Sequence, residues 1–151
     1  MNLTSGFDIS ASALTAQRLR MDVISSNIAN ADTTRAKFVN GRYEPYKRKM
    51  VVFEPMPSFS DLLDGQMNGS DGSIGSKGVK AARIVEDPSP AKLVYDPGNP
   101  DADANGYVQM PNVDVLKEMV DMISASRSYE ANVTALNATK GMFIKALDIG
   151  K

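Results

Sequence analysis

Apolar residues recur every seven positions near both ends of the chain, and others lie three or four positions away. Residues with these separations share one face of an α-helix. The pattern predicts a helix from about Asp114 to Asp148 and a shorter helix near the amino terminus. The apolar positions that best define the two faces are Phe7, Leu14, Met21, Ile24, Ile28, Val115, Met119, Met122, Tyr129, Val133, Leu136 and Phe143.

Polar residues beside these segments indicate where the predicted helices begin and end. Asn112 or Asp114 is expected to cap the start of the second helix, just after the last proline, and Gly150 is expected to end it. Residues 30–34 are polar and predict a turn after the first helix. The candidate caps for the start of the first helix are Ser5, Asp8 and Ser10.

The centre of the chain has a different composition from its ends. All eight prolines and eight of the eleven glycines lie between Gly41 and Pro111. Proline breaks helix interiors and glycine weakens them, so this region is expected to form short strands and loops. Apolar runs predict strands near residues 46–53, 79–85 and 91–95.

These patterns predict an α+β fold. Long N- and C-terminal helices pack as a coiled coil, and a small β-rich, loop-rich insert lies between them in sequence. The predicted domains are a helical arm at 1–34, an insert at 35–112 with a flexible loop at 58–78, and a long helix at 113–151.

Sustained sevenfold spacing in both arms is typical of a coiled-coil seam, which suggests contacts between molecules. The alternative is an antiparallel hairpin of helices buried in the core of a monomer. The insert is too poor in apolar residues to cover two long helices, and the second helix would be about 50 Å long at 1.5 Å per residue. We therefore expect a partner helix, with the twelve apolar residues named above as the assembly interface.

Composition restricts the chemistry that is available to the chain. It has no cysteine, histidine or tryptophan, which excludes Cys and His nucleophiles and ordinary zinc or haem sites. The formal net charge of −1 disfavours nucleic acid as a partner. No apolar run is long enough to span a membrane, and Met1–Ser10 lacks the features of a cleaved signal peptide. We expect no catalytic residue, metal or cofactor.

One acidic loop resembles the opening of a calcium site. Asp101, Asp103, Asn105 and Gly106 form the pattern D-x-D-x-N-G, in which alternating oxygen ligands surround a cation. The twelfth position carries Asn112 instead of a bidentate glutamate, so a polar turn is the default interpretation. The alternative function is a soluble binding module whose helices form a core within one chain, with a calcium-binding loop at 101–106.

Two other groups of charged residues are weak candidates for function. Arg42, Lys47, Arg48 and Lys49 lie near tyrosines, as in some single-strand nucleic-acid sites, but a solvated strand face is the better interpretation. An enzyme with a carboxylate pair is a further rival. Its best candidates are Glu86 and Asp87.

Both arms resemble one family. Residues 7–14, 16–24 and 26–31 read FDISASAL, AQRLRMDVI and SNIANA, and they closely resemble the amino-terminal motif of bacterial flagellar axial proteins. The stretch VYDPGNPDAD at 94–103, followed by GYV at 106–108, PNV at 111–113, EMVDMI at 118–123, SRSYEAN at 126–132 and LNA at 136–138, is more specific. Together these motifs resemble the flagellar basal-body rod proteins, and among them the C-type subunits of the proximal rod.

The resemblance implies a function in flagellum-dependent motility. A family member is expected to be a structural, torque-transmitting subunit of the periplasmic rod in the basal body. It would be exported by the flagellar type III apparatus without a cleaved signal. The expected partners are copies of itself, other proximal and distal rod proteins and the adaptor at the rod base.

Overall fold

The computed structural model of the protein describes residues 3–39, 41–56 and 78–149. Two long helices flank pairs of short strands, which confirms the predicted α+β class with a central β insert. The elements are α1 at Leu3–Ala29, β1 at Lys37–Val39, β2 at Arg42–Glu44, β3 at Lys49–Pro55, β4 at Val79–Glu86, β5 at Lys92–Tyr95, β6 at Tyr107–Met110 and α2 at Val115–Ile149.

The bounds of α2 agree with the predicted helix at 114–148 to within one residue. Asp114 is its cap, because its Oδ1 accepts hydrogen bonds from the backbone N–H groups of Leu116 at 3.0 Å and Lys117 at 3.3 Å. Asn112, the other candidate, is not the cap. The predicted end at Gly150 lies outside the described residues.

The predicted caps of α1 are wrong. All three candidate residues lie inside the helix, which is already formed at Leu3. The predicted turn at 30–34 is confirmed, since the backbone N–H of Thr33 donates to the carbonyl of Asn30 at 3.2 Å.

The strands at 79–85 and 91–95 are confirmed as β4 and β5, and β3 begins three residues later than predicted. The apolar runs do not predict β1, β2 or β6, which are three or four residues long. The loop predicted at 58–78 lies outside the described residues except for Gly78. The division into domains at 1–34, 35–112 and 113–151 stays a prediction.

The strands of the described ranges form three two-stranded sheets. β1 pairs with β2 and β5 pairs with β6, both antiparallel. β3 pairs with β4. Hydrogen bonds from the N–H of Asp87 to the carbonyl of Arg48 and from the N–H of Met56 to the carbonyl of Gly78 extend this pairing in antiparallel order.

The chain divides into two compact units by its internal contacts. Unit 1 contains residues 1–19, 52–83 and 125–151, and unit 2 contains residues 20–51 and 84–124. In unit 1 the rings of Phe7 and Phe143 meet edge to face with centroids 6.5 Å apart. Ala16 and Ala125 are buried there. Such small side chains let neighbouring segments approach closely.

Unit 2 contains parts of both helices and most of the strands. Arg20 of α1 lies 3.6 Å from Asp121 of α2, and Asn27 lies 3.0 Å from Glu118. These two pairs show that the helix segments of unit 2 run antiparallel. The apolar core of this unit includes Val23, Ile24, Tyr46 and Val108.

Gly78 is a point of close approach in unit 1. Its φ of 140° is rarely adopted by other residues, and a Cβ there would overlap the hydroxyl of Ser12. That hydroxyl accepts a hydrogen bond from the backbone N–H of Val79 at 3.2 Å. The absence of a side chain at Gly78 therefore lets the start of β4 bond to α1.

We predict that Gly78→Ala destabilises the protein more than Gly41→Ala. Both glycines have positive φ, which costs an alanine about 1–2 kcal/mol. Only Gly78 has a close neighbour, and overpacking adds about 1–3 kcal/mol. Urea unfolding of the two variants measures the difference, and equal losses would contradict this role of Gly78.

Candidate assembly surface

Two polar side chains are buried where α1 and α2 meet in unit 2. Asn27 and Glu118 are each 1% exposed. The Nδ2 of Asn27 donates to Glu118 Oε2 at 3.0 Å and to the carbonyl of Lys49 at 2.9 Å. Its Oδ1 accepts from the hydroxyl of Tyr46 at 3.0 Å and from the N–H of Lys49 at 2.9 Å. The amide thus uses all four of its hydrogen-bonding positions.

Arg48, just before β3, balances the charge of Glu118. Its Nε donates to Glu118 Oε1 at 2.6 Å, and its terminal nitrogens lie 3.5 Å from Asp87 and 3.8 Å from Asp121. Partial burial alone would lower the pKa of Arg48, but the hydrogen bonds and charges of Glu118 and Asp87 offset this and raise it. We call Asn27, Arg48 and Glu118 the buried polar cluster.

The backbone of Arg48 is also held in place. Its N–H donates to Asn112 Oδ1 at 3.1 Å, and its carbonyl accepts from the N–H of Asp87 at 2.8 Å. Asn112 also donates through its Nδ2 to the carbonyl of Ser89 at 3.3 Å. The guanidinium is therefore positioned by segments that lie before β3, after β4 and before α2.

Glu118 fixes which side of α2 faces inward. Leu116, Val120 and Ile123 share the opposite side of the helix. Leu116 lies two residues before Glu118, Val120 two residues after it and Ile123 five residues after it, which at 3.6 residues per turn places all three roughly opposite Glu118. They are 76%, 67% and 57% exposed, and Met119 beside them is exposed as well. This outer apolar face, defined by these four residues, is the strongest candidate for an interaction surface in unit 2.

The twelve residues predicted as an assembly interface differ in exposure. Val115, Met119 and Phe143 are exposed, whereas Ile24 is 6% exposed and packs within its own chain. The side chains of the others are half-buried, and whether any of the twelve contacts another subunit stays a prediction. The half-buried residues are Phe7, Leu14, Met21, Ile28, Met122, Tyr129, Val133 and Leu136.

Other apolar side chains are exposed on the hairpins of unit 2. The rings of Phe38 of β1 and Tyr43 of β2 are in contact, with their centroids 4.9 Å apart and their planes tilted by 58°. Tyr95 and Tyr107 meet at 5.3 Å across the β5–β6 pair, next to exposed Leu93.

The acidic loop at 101–106 uses its first carboxylate within the chain. Asp101 accepts hydrogen bonds from the Nε of Arg35 at 2.6 Å and from the hydroxyl of Thr34 at 2.8 Å. Arg35 and Thr34 lower the pKa of Asp101, in that order. In the described ranges, no three acidic side chains are grouped as metal ligands would be.

Both residues of the carboxylate pair, and Lys47 and Arg48 of the basic group, are engaged in ion pairs. Glu86 lies 2.6 Å from Lys37, which lowers the pKa of Glu86. The pKa of Asp87 is lowered mainly by hydrogen bonds from Ser89 and also by Arg48. The prediction that Arg48 belongs to a solvated strand face is wrong, because its side chain is only 16% exposed.

Asp121 of α2 is partly buried and pairs with Arg20 and Arg48. The heptad pattern gave no indication of the buried polar cluster. Its one local indication is Asn27, a polar residue between the apolar positions Ile24 and Ile28. Nothing near Arg48 or Glu118 reveals that they pair.

Within the described part of the chain, neither helix has the combination of length and apolar character that crossing a membrane requires.

Comparisons with known proteins agree with the resemblance of the two arms. The family model described as "Flagella basal body rod protein" matches residues 1–37, and "Flagellar basal body rod FlgEFG protein C-terminal" matches residues 104–149. The flagellar basal-body rod protein FlgC of Bacillus subtilis is 63% identical, with all of both chains covered. The FlgC proteins of Salmonella typhimurium and Borreliella burgdorferi are 49% and 48% identical, with 98% or more of each chain covered.

We predict that Arg48→Met lowers the free energy of unfolding by about 3–5 kcal/mol, because it leaves the buried Glu118 without its charged partner. Lys47→Met is the matched control. The ion pair of Lys47 with Glu44 is exposed, and its loss should cost less than about 1 kcal/mol. Urea unfolding at neutral pH measures both variants. Losses of similar size would show that the cluster does not hold the insert.

Proposed function

Because this chain belongs to the FlgC family of flagellar basal-body rod proteins, we propose that it is a structural subunit of the proximal rod that transmits torque in flagellum-dependent motility. The proposal gives the chain no catalytic step. The exposed apolar face of α2 is the observation that supports it most directly.

The outer apolar face of α2 has the properties of a surface that is covered on assembly. Leu116, Met119, Val120 and Ile123 expose contiguous apolar area on one side of one helix segment. Burying a side chain of this size stabilises a complex by about 1.5–3 kcal/mol. Contact with a neighbouring helix therefore offers a large gain in free energy.

The proposed interface combines this face with the exposed members of the predicted set. Val115 lies at its edge, and Phe143 lies on the part of α2 that belongs to unit 1. The half-buried residues of the set would contribute through the fraction of each side chain that remains accessible. Ile24 would act indirectly, by supporting α1 from within its own subunit.

The proposed partners are those that the resemblance implies. They are further copies of this chain, other proximal and distal rod proteins and the adaptor at the rod base. We also propose that the chain reaches the periplasmic rod through the flagellar type III export apparatus without a cleaved signal.

We predict that replacing Leu116, Val120 and Ile123 by Gln reduces incorporation into basal bodies at least about tenfold, because the apolar contact is lost. The fold should survive, since these side chains are exposed. The measurements are swimming and the amount of variant in isolated basal bodies, in cells where the variant is the only copy. The melting temperature of the purified variant checks its fold.

Lys117→Gln is the control, because Lys117 is exposed on the same turn of α2 but outside the apolar face. It should swim and assemble as the unmodified protein does. A triple variant that assembles as well as this control would contradict the proposed surface.

A further inference from the structure

We propose that the buried polar cluster is a register lock, which makes the two terminal helices pair in a single register. The proposal rests on the proposed function, because a fixed register matters where many similar helices assemble side by side. It assigns Asn27, Arg48 and Glu118 as positioning residues.

The apolar pattern alone leaves the register of the helices open. The apolar series of α1 and α2 both repeat every seven residues. Sliding one helix past the other by seven residues again sets apolar positions against apolar positions.

Asn27 and Glu118 remove this ambiguity. A slip of seven residues in one direction sets Asn27 against Ala125, which cannot accept its hydrogen bond. A slip in the other direction sets Asn27 against Pro111, which precedes α2. It also places Glu118 opposite Arg20 of α1 and takes it away from Arg48. Either slip breaks the bond between Asn27 and Glu118, whose side chains are almost fully buried.

Asn27 cannot follow a sliding α2. Its amide also bonds both the N–H and the carbonyl of Lys49, each at 2.9 Å. These two hydrogen bonds to the start of β3 hold α1 in place against the insert. A single buried polar residue in an otherwise apolar seam is known to specify register in coiled coils, at some cost in stability.

Arg48 adds a charge to the lock. Its carbonyl accepts from the N–H of Asp87, and the neighbouring Lys49 is bonded to Asn27, so its guanidinium does not follow a sliding α2. A slipped register therefore leaves a buried charge without its partner.

Cysteine pairs report the register, since the chain has no cysteine of its own. A Cβ placed at Gly6 lies 3.3 Å from Cγ2 of Thr139, so Gly6→Cys with Thr139→Cys should form a disulfide in the native register. A bond within the chain gives a monomer on a non-reducing gel, and a bond between chains gives a dimer. Gly6→Cys with Asn132→Cys or with Ala146→Cys reports the two slips of seven residues.

The test is made in basal bodies isolated from cells in which the variant is the only copy. With the cluster intact, we expect the native disulfide to exceed the slipped disulfides by at least about 100-fold, because a slip leaves a buried charge unpaired. In Arg48→Met with Glu118→Met, that ratio should fall at least about tenfold. Its melting temperature should stay near that of the unmodified protein, because apolar pairs replace buried ion pairs at little cost.

The matched control is Glu44→Met with Lys47→Met, which removes an exposed ion pair of 3.4 Å in the same region. It should leave the ratio unchanged. If the double Met variant fails to fold, Glu118→Gln takes its place, since it removes the charge and keeps the shape of the side chain. The ratio should fall for this variant too.

Two results would overturn the lock. One is an unchanged ratio in the folded Arg48→Met/Glu118→Met variant or in Glu118→Gln. The other is abundant slipped product while the cluster is intact. Absence of the unmodified chain from the isolated basal bodies would instead contradict the proposed function, so the two failures are distinguishable.

Discussion

The burial of Glu118 is the constraint on which unit 2 depends. A carboxylate removed from water is costly unless it is paired and hydrogen-bonded. Glu118 meets this requirement because one of its carboxylate oxygens accepts a hydrogen bond from Arg48 and the other accepts one from Asn27. Since these partners come from the start of β3 and from α1, three distant parts of the sequence are held at one point. The cost of an unpaired Glu118 makes the three contacts mutually dependent.

The same constraint determines the outward side of α2. With Glu118 turned inward, the helical repeat places Leu116, Val120 and Ile123 on the solvent side. This segment of α2 thus has two different faces. The polar groups of one face are hydrogen-bonded within the same unit, and the other face is apolar and exposed. For a member of a rod-protein family, the first face suits folding of the subunit and the second suits contact with neighbours.

The period of the apolar residues predicted both helices, and the bounds of α2 were correct because Asp114 is a strong local cap. Prediction from local sequence patterns failed for contacts between residues that are far apart in the sequence. Asn27 and Glu118 are 91 positions apart, and Arg48 resembled a solvated basic residue. The strands β1, β2 and β6 are too short for an alternating pattern to reveal them. The cap of α1 was misplaced because several polar residues lie inside that helix.

The most direct test of the central claim is a double-mutant cycle between Arg48 and Glu118. The free energy of unfolding is measured in urea for the unmodified protein, Arg48→Met, Glu118→Met and the double variant. We predict that the two substitutions are strongly non-additive, with a coupling of about 3 kcal/mol or more and the double variant more stable than Arg48→Met alone. Effects that add to within about 0.5 kcal/mol would show that the two residues do not depend on each other, and would contradict this account.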